Sequence, residues 1–196
     1  KVAADAIFAE VLQKEGVLEI PAGKFLLEKG IDVSKVKGSQ LKVRGVGMGK
    51  SILFGKGAGK FYNGSVLAKK GKQQIVNRNF AVDKKNVTID AGGADNAVVG
   101  MAINDKYFNV EFKNYKVAGI SWLNMKKVLK DGVFAGKWDR INKVDAEQWI
   151  FIGCKFSGGE YGIRYDGYSD KVLVFNSSFE NHSKGGLYMT NAVHFH

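Results

Sequence analysis

Glu160, Arg164 and Asp166 fall within one short run, Glu160-Tyr161-Gly162-Ile163-Arg164-Tyr165-Asp166. Carboxylates are the natural acids and bases for cutting a glycosidic bond. Glu160 and Asp166 are therefore the candidate catalytic pair. Arg164 and Asp166, two apart on a strand, would face outward together. Arg164, Tyr161, Tyr165 and Trp122 are candidate substrate-binding residues, because an aromatic face packs on the apolar C–H face of a sugar ring. The plainer reading of the same residues is an outward ion pair worth under about 1 kcal/mol. Asp90, Asp95, Glu111 and Glu180 are further carboxylates in the regular part of the chain.

Other chemistries find less support. His194 and His196 share a strand face, but no Cys, Asp or Glu lies close by to complete a metal site. No metal and no cofactor are expected. Cys154 is the single cysteine, which excludes an internal disulfide, and its apolar neighbours Ile152 and Phe156 suit a buried thiol better than a nucleophile. Gly45-Val46-Gly47-Met48-Gly49-Lys50-Ser51 approaches a phosphate-binding loop, yet Arg44 stands where the first glycine is needed. The next residues, Ile52-Leu53-Phe54, read as a strand rather than the helix such a loop requires.

The elements that must position these residues have a period. Phe156 and Phe179 are 23 residues apart, and Gly162 and Gly186 are 24 apart. Each repeat reads as a strand, a turn rich in Asn, Gly and Ser, and a second strand, which is the pattern of a solenoid. Asn114 and Asn176 suit its corners. Strands are expected at Val66–Ala68, Ile75–Val82, Val87–Ala91 and Val98–Ile103. Others are expected at Phe108–Asn114, where apolar and polar residues alternate, at Trp149–Phe156 and at Val172–Phe179. Leu123–Gln148 breaks the period and is expected as an inserted loop. Near the start, Ala3, Ala4, Ile7, Phe8, Val11 and Leu12 have helical spacing and Gly16 stops them. Ile20-Pro21-Ala22-Gly23 then turns one short strand into the next.

This opening resembles the right-handed parallel β-helix of the pectate-lyase superfamily, as used by bacteriophage tailspikes. The resemblance rests on Ala3–Leu12, Ile20-Pro21-Ala22-Gly23 and Leu41–Leu53. It implies an all-β, single-stranded parallel solenoid with an N-terminal amphipathic cap helix. One domain is expected over residues 1–196, with the cap at 1–16, first coils at 17–122, the inserted loop at 123–148 and further coils at 149–196, all within a longer chain. The resemblance also implies a domain that recognises a bacterial surface polysaccharide, with cleavage left open, in a homotrimer or larger assembly on a virion tail or outside the cell. A non-catalytic attachment module and a free-standing polysaccharide lyase are the alternatives. The polygalacturonase pattern is missing, with no Asp-Asp pair and no Gly-His-Gly, and so is the lyase arginine with its neighbouring proline, since Pro21 is the only proline.

Composition agrees with such a fold. There are 25 glycines and one proline in 196 residues, against an average glycine share of about 7%, which suits many tight corners. The net charge of +11 favours anionic partners. The runs Lys69-Lys70-Gly71-Lys72, Lys84-Lys85 and Lys126-Lys127 read singly as solvated surface. Nucleic acid ranks last among the partners, for want of a recognition motif, and no apolar run reaches membrane-spanning length.

Overall fold

A computed structural model describes residues 4–28, 31–32, 40–55, 61–62, 66–69, 72–75, 81–99, 105–121 and 146–195. It is all-β with long parallel pairings and one short helix. Helix α1 (Asp5–Glu15) ends on Gly16, whose φ of 71° lets its N–H reach the carbonyl of Leu12. Leu12 is buried, and Phe8 meets Phe25 with ring centroids 5.5 Å apart, so the helix covers the end of the first strands.

The strands pair in three parallel stacks. Stack A comprises β1 (Val17–Ile20), β4 (Gln40–Gly45), the first parts of β9 (Ala81–Asp90) and β11 (Lys106–Lys113), β13 (Ala146–Ile152), the second part of β15 (Tyr161–Phe175) and the second part of β17 (Gly185–Phe195). Stack B comprises β2 (Gly23–Leu27), β5 (Ser51–Gly55), the second parts of β9 and β11, β14 (Lys155–Ser157) and β16 (Ser178–Glu180). Stack C comprises β3 (Ile31–Asp32), β6 (Phe61–Tyr62), β10 (Asn96–Val99), β12 (Ala118–Ser121), the first part of β15 and the first part of β17 (Gly185–Phe195). The chain visits the stacks in the order A, B, C and then begins again.

Left-handed backbone makes the corners. From stack A to stack B the chain turns through Asn86, Asn109, Gly153 and Asn176, with φ of 56°, 51°, 64° and 47°. These four stand at equivalent places in successive passages, as the registers on either side show. Asparagine is the side chain that best tolerates this conformation outside glycine. Its amide adds a link along the stack, since Asn109 Nδ2 donates to Asn86 Oδ1 at 3.2 Å. A second series, Asn114, Gly158 and Asn181, turns stack B toward stack C at φ 57°, 88° and 60°.

Between corners the inward residues stack in ladders. In stack B, Phe25, Leu53, Ile89, Phe112, Phe156 and Phe179 follow one another in register. The last three rings lie 4.6 and 4.8 Å apart and nearly parallel, at 7° and 3°. That is the strand spacing itself, so the backbone sets the offset-stacked geometry aromatic rings prefer. Space for the rings comes from Gly119, Gly162 and Gly186 in stack C. A Cβ at Gly162 would come within 2.4 Å of Phe179 Cδ1. The inward faces of the stacks belong to a single buried apolar cluster.

The strand expected at Val66–Ala68 is present as β7 (Val66–Lys69), and it pairs antiparallel with β8 (Lys72–Ile75), so this hairpin stands outside the parallel stacks. Of the strand expected over Ile75–Val82, Ile75 ends β8 and Ala81 opens β9, while residues 76–80 lie outside the described residues. The strand after the inserted loop begins at Ala146, three residues before the expected boundary, while 122–145 lie outside the described residues.

Candidate functional site

The first part of β15 carries the residues singled out by sequence. Glu160 sits on the corner just before it and is tied to Lys184 Nζ by its Oε2 at 2.9 Å. Its backbone N–H donates to the carbonyls of Lys116 and Val117, both at 3.1 Å, which fixes the corner. Tyr161 is half-buried, and its ring lies 5.4 Å from that of Tyr188 on the adjoining strand β17. Arg164 and Lys184 both hold their cationic ends 6.0 Å from the centre of the Tyr161 ring. Glu160, Tyr161 and Arg164 are thus brought together, with Lys184 and Tyr188 completing one outward patch.

Tyr165 does not join them. It is fully buried and packs edge-on against Trp149 at 5.4 Å. The expectation that Tyr165 offers a stacking surface is corrected: Ile163 and Tyr165 both face the core, whereas Tyr161 is half-buried beside Arg164. Asp166 lies on β15 two residues past Arg164, and its side chain is not among those described. Trp122 lies outside the described residues, as do Lys126, Lys127 and His196.

Two partners in the patch were missed in the sequence. Arg164 pairs in register with Tyr188, and Tyr161 with Gly185. Carrying the 24-residue spacing forward from Arg164 reaches Tyr188, so the signal was present in the repeat.

A second cluster was missed entirely. Lys84 is not solvated surface, as the Lys84-Lys85 run suggested, but wholly buried, while Lys85 beside it is exposed. Lys84 takes an inward place in stack A between Val43 and Tyr107. Its ammonium lies 4.6 Å from the centre of the Tyr107 ring, and the Tyr107 hydroxyl donates to Asp105 Oδ2 at 3.1 Å. Asp105 is also fully buried. Burial lowers the Lys84 pKa to about 8, opposed by the carboxylates of Asp105 and then Asp83.

The remaining candidates are structural. Cys154 is buried, its thiol donates to the Tyr107 carbonyl at 3.4 Å, and burial pushes its pKa up to about 11, so it is not poised as a nucleophile. The glycine-rich run at Gly45–Ser51 is a corner leading into β5. The buried Ser51 hydroxyl donates to the Ile20 carbonyl at 2.8 Å and accepts from the Val46 N–H at 2.9 Å. Among the described residues no three His, Cys, Asp or Glu side chains gather as a metal site, and no helix is long and apolar enough to cross a membrane. Compared with known proteins, the chain has no significant match to a family model, a curated protein or a solved structure.

Proposed function

We propose that the chain is a right-handed parallel β-helix of the tailspike kind that recognises a bacterial surface polysaccharide. The solenoid part of this reading draws on the A, B, C order of strand pairing, the 23-residue interval between equivalent corners and the helix covering the first strands. The recognition part is carried by one observation: the outward Tyr161–Tyr188 ring pair on adjacent strands, flanked by Arg164, Lys184 and Glu160. Rings give a sugar an apolar face to lie on, and the charged groups can hydrogen-bond its hydroxyls. Assembly as a homotrimer on a virion tail belongs to the same proposal. It draws support from the exterior of stack A, where Leu173 and Phe175 are 36% and 63% exposed and another subunit would remove them from water.

Glu160 is held by Lys184 at 2.9 Å, and cleavage would require a second carboxylate roughly 5–9.5 Å from it. The test is binding of the native protein to an array of bacterial capsular and lipopolysaccharide glycans, followed by reducing-end release from each ligand. Tyr161→Ala with Tyr188→Ala is expected to abolish binding of the glycan retained by the wild type. Full binding by that double variant, or no retained glycan, would overturn the reading.

A further inference from the structure

The exterior of stack A has an uneven charge. Its two outward ladders run Val17, Lys42, Asp83, Lys106, Ile150, Leu173 and Glu19, Arg44, Lys85, Phe108, Ile152, Phe175. The early half therefore holds four cations against two carboxylates. Arg44 and Lys85 are direct partners in register, and like charges placed opposite one another on neighbouring strands repel. Glu19 reaches Arg44 at only 3.4 Å, between side chains 49% and 66% exposed, a contact worth little in water. Stack B shows the contrast. There Lys113 meets Glu111 and Lys155 meets Glu180, each at 3.2 Å.

The excess charge coincides with a cleft. Lys42, Arg44, Asp83, Lys85 and Phe108 line an opening of about 220 Å³, below the roughly 300–1,000 Å³ of pockets that enclose drug-sized ligands. Its size suits one unit of a longer molecule. Its lining offers three cations, one carboxylate and one aromatic face. A guanidinium fork beside two ammonium groups matches the several oxygens of a phosphoryl group better than the two of a carboxylate. Phe108, next after Lys85 in the ladder, supplies a surface for the C–H face of a sugar.

The geometry points to a binding site for a phosphorylated sugar in this cleft, with the phosphoryl group held by Arg44, Lys85 and Lys42 and the ring laid on Phe108. The site is separate from the Tyr161–Tyr188 patch, and the two stand or fall independently.

The experiment is amide chemical-shift titration of the intact protein with glucose 6-phosphate, glucuronate, glucose and inorganic phosphate at matched ionic strength, read at Arg44, Lys85 and Phe108. Glucose 6-phosphate is expected to shift these amides and to bind at least about tenfold more tightly than glucuronate or inorganic phosphate, with glucose giving no shift. Arg44→Gln with Lys85→Gln should remove the response while leaving the thermal midpoint and the remaining spectrum in place. Phe108→Ala should weaken glucose 6-phosphate without changing the response to inorganic phosphate. No shift at these amides up to millimolar glucose 6-phosphate overturns the proposal. Equal binding of glucuronate overturns the phosphoryl assignment, and equal binding of inorganic phosphate overturns the sugar. Tyr161 and Tyr188 amides read the other patch in the same spectra, so loss of polysaccharide binding there leaves a response at Arg44 interpretable.

Discussion

The inward ladders of stacks A and B are built on the same passages of the chain, yet they treat charge in opposite ways. Stack B stacks Phe25, Leu53, Ile89, Phe112, Phe156 and Phe179 with no polar member. Stack A stacks Leu18, Val43, Lys84, Tyr107, Phe151 and Val174, with a lysine in the middle. Tyr107 and Phe151 still stack at 4.9 Å and 12°, so the lysine does not disturb the rings beyond it. The parallel backbone fixes where a side chain goes, and the side chain must then find its own compensation. Stack B gains from ring contact alone, whereas stack A relies on Asp105, Tyr107 and the ring face.

The largest effects should come from breaking each ladder at its centre. Phe156→Ala removes a fully buried ring between two stacked partners and should cost about 3–5 kcal/mol in denaturant unfolding. Lys84→Met should cost a similar amount, about 3–5 kcal/mol, for a different reason: it leaves the buried Asp105 carboxylate without its cation. Adding Asp105→Asn to Lys84→Met should restore most of that loss, because the amide oxygen still accepts from Tyr107. A double-mutant cycle that finds the two changes additive would show that the two charges do not compensate each other.

Next in size is a dependence on pH. Lys84 titrates near pH 8 when folded and near 10.5 when exposed. Between these values the unfolded chain binds more protons, so stability rises as pH rises from about 8 to about 10.5. The gain approaches about 3 kcal/mol from this group alone, and it is lost again as pH falls through 8. Unfolding measured across this window should lose that rise in the Lys84→Met, Asp105→Asn protein and keep it in Phe156→Ala.

The smallest test concerns the corner that joins the two ladders. Asn109→Ala should cost about 1–2 kcal/mol, because alanine resists a φ of 51°. Asn109→Gly should cost less than alanine does, losing the amide link to Asn86 but not the backbone conformation. Thermal midpoints of the two variants decide it, and equal losses would place the whole effect in the side-chain hydrogen bond.

These corners also explain what could be read from the sequence. The period was legible, since Phe156 and Phe179 do stack, and Asn114 and Asn176 do turn the chain at positive φ. The cap helix and its stop at Gly16 were legible from apolar spacing and one glycine. Side-chain facing was not. Phe108, Val110 and Phe112 alternate as if on one face, but Asn109 is a corner, so Phe108 lies on the exterior while Tyr107, Val110 and Phe112 are buried. A left-handed residue resets the two-residue rhythm, and the count must restart there. Lys84 was misplaced because two adjacent lysines on a strand must face opposite ways, and Lys84 is the one that faces inward, while Tyr165 shares the inward face of β15 with Ile163. Glu160, Tyr161 and Arg164 lie close together because they belong to one short run. Lys184 and Tyr188 are neighbours only across the repeat.

The nearest-neighbour pairing of strands also governs how the chain acquires its shape in time. Paired residues are 23 apart from β9 to β11 and from β13 to β15, and 25 apart from β1 to β4. Closing a loop of that length carries a length-dependent cost of only about 3 kcal/mol, and such local closure takes microseconds. Ribosomes add roughly 5–20 residues per second, so a strand can dock on its predecessor before the next one exists. In stack A two steps are longer: β4 waits 41 residues for β9, and β11 waits 44 for β13. At those two points the growing edge stays open about twice as long, which makes them the moments when a newly made chain is most exposed to a wrong partner.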